Sequence, residues 1–145
     1  MTLHDRSLHI DIPVVLTDVS VVFSIGALAF EGDLPAPLFH LRLIADDIAD
    51  WGARSDVIAV FHTNAGHVVL HDEAYNRDRN IATGNPYKRL VADLVQRGAR
   101  VELCGATARA HDWVNADLLD DIKVNTDAMA RTVQLVHQGY VKISE

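Results

Sequence analysis

The sequence predicts an α/β fold, a largely parallel sheet covered by helices on both sides. Two apolar runs, residues 19–25 and 57–61, lack polar alternation, as strands buried on both faces do. Between such runs lie segments with helical spacing: Leu38, Leu41, Ile44, Ala45 and Ile48, then Tyr87, Leu90, Val91, Leu94 and Val95. Strands and helices therefore alternate, which is how crossover units build a parallel sheet.

Each element has a local justification. Residues 1–17 read as a polar arm, although His9-Ile10-Asp11-Ile12 alternates like an edge strand, and residues 13–16 fit either a helical turn or a strand. Residues 19–25 form the central strand, and residues 31–35 a loop. A helix opens at Pro37 and stops at Gly52, with Asp46, Asp47 and Asp50 on its solvated face. The strand at 57–61 runs into a polar turn, 62–67, followed by a short helix over 68–75 and an exposed charged loop at 76–80. Asn85 as N-cap and Pro86 at the first helical position start the next helix, which Gly98 closes. Residues 101–104 are the third clear strand, and residues 106–111 can start a helix. A loop at 117–121 leads to a fourth strand, 122–124. Asn125 or Thr126 then caps a last helix with Met129, Val133 and Val136 facing inward, ended by Gly139. Residues 140–143 alternate as a final strand. With no internal repeat or linker, residues 1–145 form one domain with an N-terminal arm at 1–17.

Bulk chemistry narrows the function classes. The formal charge is −7 and no basic block occurs, which disfavours nucleic acid and anionic membrane surfaces as partners. The longest uncharged run, 12 residues at 19–30, is too short to span a bilayer. The first residues lack the layout of a signal peptide, so a cytoplasmic location is expected. A single cysteine excludes an intrachain disulfide and a Cys-rich metal cluster.

That cysteine, Cys104, stands where an apolar strand gives way to Gly105 and a helix start. Such a place sets a thiol beside free N–H groups and the positive end of a helix dipole, which favours thiolate. The same placement also suits a small buried hydrophobe at a strand end. Ligands collect at the C-terminal ends of parallel strands, where His62 and Asn64 follow one strand and Cys104 ends another. Were these strands to share an edge, imidazole, amide and thiol would border one pocket. Asn64-Ala65-Gly66 fits an anion-binding turn or a plain one. His67 and His71 have i, i+4 spacing that would suit zinc on a helix, with Cys104 as a third ligand. The absence of an HExxH motif and of a suitably spaced carboxylate argues against a metal site. Phosphate-binding glycine loops and a GxSxG elbow are also missing from the sequence.

The ordered set of a Gly32-Asp33 loop, a helix, a strand ending in His62, the Asn85-Pro86 helix, Gly98, Val101-Glu102-Leu103-Cys104-Gly105 and the closing Gly139-Tyr140-Val141 resembles the DsrE/DsrF-like family over about residues 18–143. The resemblance implies a three-layer α/β/α domain with a mostly parallel five-stranded sheet, assembled as a homotrimer or homohexamer. It also implies sulfur handling: sulfane sulfur held as a persulfide on Cys104 and passed to a partner protein's thiol. Sulfur-donor and sulfur-acceptor proteins would be the partners, and no cofactor or metal is called for. Gly105, Ala106 and Thr107 would stabilise the negative sulfur through their N–H groups, with His62 as a polar wall or proton relay and Asn64 beside the ligand. A reading from another class also fits the residues: a non-catalytic oligomeric module binding a small anion at the same strand-end pocket.

Overall fold

The computed structural model describes residues 6–145. Within the predicted arm, residues 6–10 and 13–16 form neither helix nor strand, so the alternation at His9–Ile12 is not used in a sheet; residues 1–5 lie outside the described residues. Strand β1 (Asp18–Ile25) begins the fold. The expected loop at 31–35 contains a small antiparallel hairpin, β2 (Phe30–Glu31) and β3 (Leu34–Pro35), turned by Gly32 at a φ of 62°. Helix α1 (Ala36–Trp51) follows and ends on Gly52 in the left-handed conformation, as the sequence predicts.

Strand β4 (Arg54–Phe61) leads into a 3₁₀ segment, Thr63–Val69, where a polar turn and a helix were expected. The α-helix itself, α2 (Asp72–Arg79), starts later and occupies the stretch expected as loop. His71 caps it, its Nδ1 accepting the Ala74 N–H at 3.2 Å, and Asp72, Glu73 and Arg77, Arg79 suit its two ends. Charge at the helix ends therefore outweighed apolar periodicity in fixing these boundaries. Helix α3 (Lys88–Gln96) is preceded by a turn in which Asn85 Oδ1 accepts the Tyr87 N–H at 2.7 Å. The Asn85 amide also donates to the carbonyls of Val68 and Leu70, at 2.9 and 2.6 Å, tying the 3₁₀ segment to α3. Strand β5 (Arg100–Cys104), helix α4 (Gly105–Ala110), strand β6 (Lys123–Asn125), helix α5 (Ala128–His137) and strand β7 (Val141–Ser144) complete the chain.

The five longer strands, β1, β4, β5, β6 and β7, form one parallel sheet in the order β6-β5-β4-β1-β7. The chain moves outward from β1 through β4 and β5 to β6, then returns to place β7 on the other side of β1. Crossovers between parallel strands are right-handed, so reversing direction transfers the connecting helix to the opposite face. That is why α5 alone packs on one face. Val21, Phe23, Ile25, Ala59, Phe61, Val101 and Leu103 meet α1, α2, α3 and α4 on the other, in the larger core. Val22, Ile58, Val60 and Cys104 meet Ala128 and Leu135 of α5 in the smaller one.

Helix α5 corrects two expectations. Its cap is Asp127, whose Oδ1 accepts the Ala130 N–H at 2.7 Å, in place of Asn125 or Thr126. Its buried residues are Ala128, Thr132 and Leu135, whereas Met129, Val133 and Val136 are exposed, Met129 by 78%. Small side chains at 128 and 132 let the helix lie close to the sheet, and that rotates the bulkier residues outward. Among the described residues, no helix is long and apolar enough to cross a membrane.

Candidate functional site

Because β1, β4 and β5 are adjacent and parallel, their C-terminal ends share one edge of the sheet. Cys104 closes β5 on the α5 face and is 5% exposed. Its position puts the sulfur between two helix starts: α4 begins at the next residue, and the Ala128 N–H at the first position of α5 donates to Cys104 Sγ at 3.2 Å. Burial pushes the Cys104 thiol up, but the Thr107 N–H and hydroxyl and the Ala128 and Ala106 N–H groups outweigh it and hold the thiol below its ordinary value. A thiolate is the form those donors stabilise.

Gly105 makes this arrangement possible. A Cβ there would stand 2.3 Å from the Asn125 carbonyl oxygen and 2.8 Å from that of Thr126, both backbone atoms. Only glycine lets the end of β6 and the entry to α5 approach closely enough for the Ala128 N–H to reach the sulfur.

His62 occupies the equivalent end of β4. Its Nε2 is 2.9 Å from Ser24 Oγ and its Nδ1 is 2.9 Å from Thr63 Oγ1, so both ring nitrogens are engaged by hydroxyls. The imidazole packs on Gly26, where a Cβ would lie 2.6 Å from His62 Cε1. Burial and, secondarily, the Lys142 charge lower the His62 pKa and favour the neutral ring. Thr63 has a φ of 51°, unusual for a β-branched residue, and its N–H donates to Thr107 Oγ1 at 3.0 Å. The Thr107 hydroxyl therefore links the strained backbone after β4 to the sulfur after β5. This chain of contacts connects His62 to Cys104.

A cavity of about 580 Å³ opens here, lined by Ser24, His62, Thr63, Cys104, Ala106, Thr107 and Lys142 from the sheet edge and by Asp127, Ala128, Met129, Thr132 and Val133 around α5. It brings together four of the residues singled out in the sequence: Cys104, His62, Ala106 and Thr107. Gly105 borders a separate small cavity with Trp113 and Leu118. Asn64 lies on the other side of Thr63, in a polar cavity of about 260 Å³ with His67, Asp78, Arg79, His111 and Trp113. His67 and His71 are not on one helical turn, since the first sits in the 3₁₀ segment and the second caps α2. No cluster of three or more metal-ligating side chains occurs among the described residues.

The sequence reading missed Ser24, Thr63, Lys142 and the Ala128 N–H. Ser24 was visible as a polar residue near the end of an apolar strand, and Lys142 as the charged position of an alternating one. The Ala128 contribution had no side-chain signal at all. A slightly larger groove, about 630 Å³, lies over β5, β6 and α5, and three of its charged side chains are paired. The buried Glu102 receives Arg131 through both carboxylate oxygens, at 2.9 and 2.8 Å, and Arg100 is paired with Asp56 at 2.6 Å. That groove holds no thiol, which leaves the Cys104 cavity as the candidate site.

Comparison with known proteins agrees with this layout. The model of the DsrE/DsrF-like family matches residues 32–144. The chain belongs to the DsrE/DsrF-like family. Among solved structures it is similar to MTH1491 from Methanobacterium thermoautotrophicum, described as a protein of unknown function, with a TM-score of 0.68 and 22% identity, covering 88% of this chain and all of that one. The ychN protein from E. coli has a TM-score of 0.58 and 16% identity over the same shares of the two chains. These likenesses establish the shared fold, a parallel five-stranded sheet with helices on both faces. No match is found among curated proteins.

Proposed function

We propose that this DsrE/DsrF-like chain is a sulfur carrier that holds sulfane sulfur as a persulfide on Cys104 and hands it to a partner's thiol. The observation that carries the reading is the sulfur's setting: Cys104 Sγ accepts the Ala128 N–H at 3.2 Å, beside Thr107, in an open strand-end cavity. The Cys104 thiolate attacks the outer sulfur of a donor persulfide, the donor S–S bond breaks, and the donor thiolate leaves with the bonding pair. An acceptor thiolate then attacks the terminal sulfur, and Cys104 departs as a thiolate. The N–H groups that favour the nucleophile also make Cys104 a good leaving group, so the same donors serve loading and release. With one cysteine in the sequence, release uses an external thiol. His62 forms a neutral polar wall and steadies Thr63.

On this reading the chain works as a single domain in the cytoplasm, between sulfur-donor and sulfur-acceptor proteins and without a metal or cofactor. It also works as a homo-oligomer, a trimer or hexamer. The exposed apolar side of α5, with Met129, Val133 and Val136, supports a self-association surface next to the cavity.

Intact mass after incubation with polysulfide or glutathione persulfide tests the carrier role. Wild type is expected to gain one sulfur atom, removable by a reducing thiol, and Cys104→Ser none. Folded, reduced wild type that takes up no sulfur, or a Cys104→Ser variant that takes up as much, would overturn the proposal.

A further inference from the structure

The cavity beside Cys104 is chemically lopsided. Lys142 lines it from β7, where its register partner on β1 is Val22, so it stands on the same sheet face as Cys104. Among the described residues its ammonium has no ion-pair or hydrogen-bond partner. Asp127, the carboxylate on the same cavity, accepts the Ala130 N–H at 2.7 Å as the cap of α5. His62, the remaining ionisable group besides the cysteine, is kept toward its neutral form. Facing these groups, Met129 and Val133 supply an apolar wall. An incoming molecule therefore meets an unpaired cation, an apolar surface and the sulfur within one cavity of about 580 Å³.

We propose that Lys142 determines donor specificity: it selects small anionic donors, holding their negative group while the sulfane sulfur meets Cys104. The inference rests on the carrier reading and names the class of molecule that loads it. Two sources share the required chemistry, thiosulfate and a persulfide bearing a carboxylate. With thiosulfate, the Cys104 thiolate attacks the outer sulfur, the S–S bond breaks, and sulfite leaves with the bonding pair. With the persulfide, the organic thiolate is the leaving group. In both, the Lys142 charge offsets repulsion between thiolate and donor and raises the encounter rate.

The test alkylates Cys104 with two reagents of similar size and opposite demands, anionic iodoacetate and neutral iodoacetamide, in wild type, Lys142→Gln and Lys142→Arg. The ratio of the two rates cancels the thiolate fraction and reads the local charge alone. Lys142→Gln is expected to lower the iodoacetate-to-iodoacetamide ratio by about threefold to fivefold at low salt, an effect that added salt erases, with Lys142→Arg at the wild-type ratio. An unchanged ratio in Lys142→Gln overturns the role of Lys142 and leaves the carrier reading standing. Iodoacetamide reacting no faster than with an unfolded cysteine peptide contradicts the activated thiol, while the ratio still reports on Lys142. Folded wild type inert to both reagents overturns both proposals, because no small donor then reaches the sulfur. Loading from thiosulfate and from glutathione persulfide separates the sources: the donor whose rate falls by the same factor in Lys142→Gln is the one the cation holds, and no fall with either overturns the proposal.

Discussion

Gly105→Ala is expected to destabilise the protein by about 3 kcal/mol, the upper range for forcing an extra methyl into a packed site. The methyl would meet two backbone carbonyl oxygens, at 2.3 and 2.8 Å, and no flexible side-chain end. Relief requires moving the segment between β6 and α5, and with it the Ala128 N–H that donates to Cys104 Sγ. The variant should therefore lose stability and show a higher thiol pKa together. Denaturant unfolding combined with a pH series of alkylation rates checks both. A loss below about 1 kcal/mol, the level of an ordinary substitution, would mean that this approach of chain segments is looser than described.

Thr107→Val is expected to separate the two jobs of one hydroxyl. Valine keeps the shape of threonine and removes the oxygen that accepts the Thr63 N–H at 3.0 Å and favours the Cys104 thiolate. The first loss leaves the backbone at Thr63, already at a φ of 51°, without a partner and costs about 1 kcal/mol. The second raises the thiol pKa. Hydrogen bonds to charged groups are worth about 1.5–3 kcal/mol, roughly one to two pKa units, so alkylation at neutral pH should slow by about tenfold to a hundredfold. At alkaline pH, where the thiol is ionised in either protein, the rates should converge. A rate difference that persists there would point to altered access to the sulfur.

How far the sequence carried the reading depends on which force set each element. The α1 helix, β1, β5 and the helix start after Cys104 were legible because apolar periodicity and glycine punctuation act locally. Segment 63–80 was not legible, because its apolar residues are buried all round in a 3₁₀ turn while charges and the His71 cap define the helix that follows. The phase of α5 was misread for a tertiary reason: close packing on the sheet selected Ala128 and Thr132, leaving Met129, Val133 and Val136 outside. At the site, Cys104 and His62 were visible as polar punctuation of apolar strands. The donor that arrives from 24 residues away, Ala128, carries no mark in its side chain. Lys142 belongs to a strand whose place beside β1 depends on the returning crossover, which no local pattern announces.

The most direct test of the central claim, that the fold favours ionisation of Cys104, is its ionisation curve, followed by thiolate absorbance in wild type against Cys104→Ser. The predicted midpoint lies below that of an ordinary free thiol, because the donors from Thr107, Ala128 and Ala106 outweigh burial. A depressed folded pKa has a matching stability signature. Between the folded and unfolded pKa values, wild type should gain stability over Cys104→Ser as pH rises; the gain is complete above the unfolded value and lost as pH falls through the folded one. A midpoint at or above the ordinary value, with no such pH-dependent gain, would contradict the account and leave Cys104 a buried apolar side chain at the end of a strand.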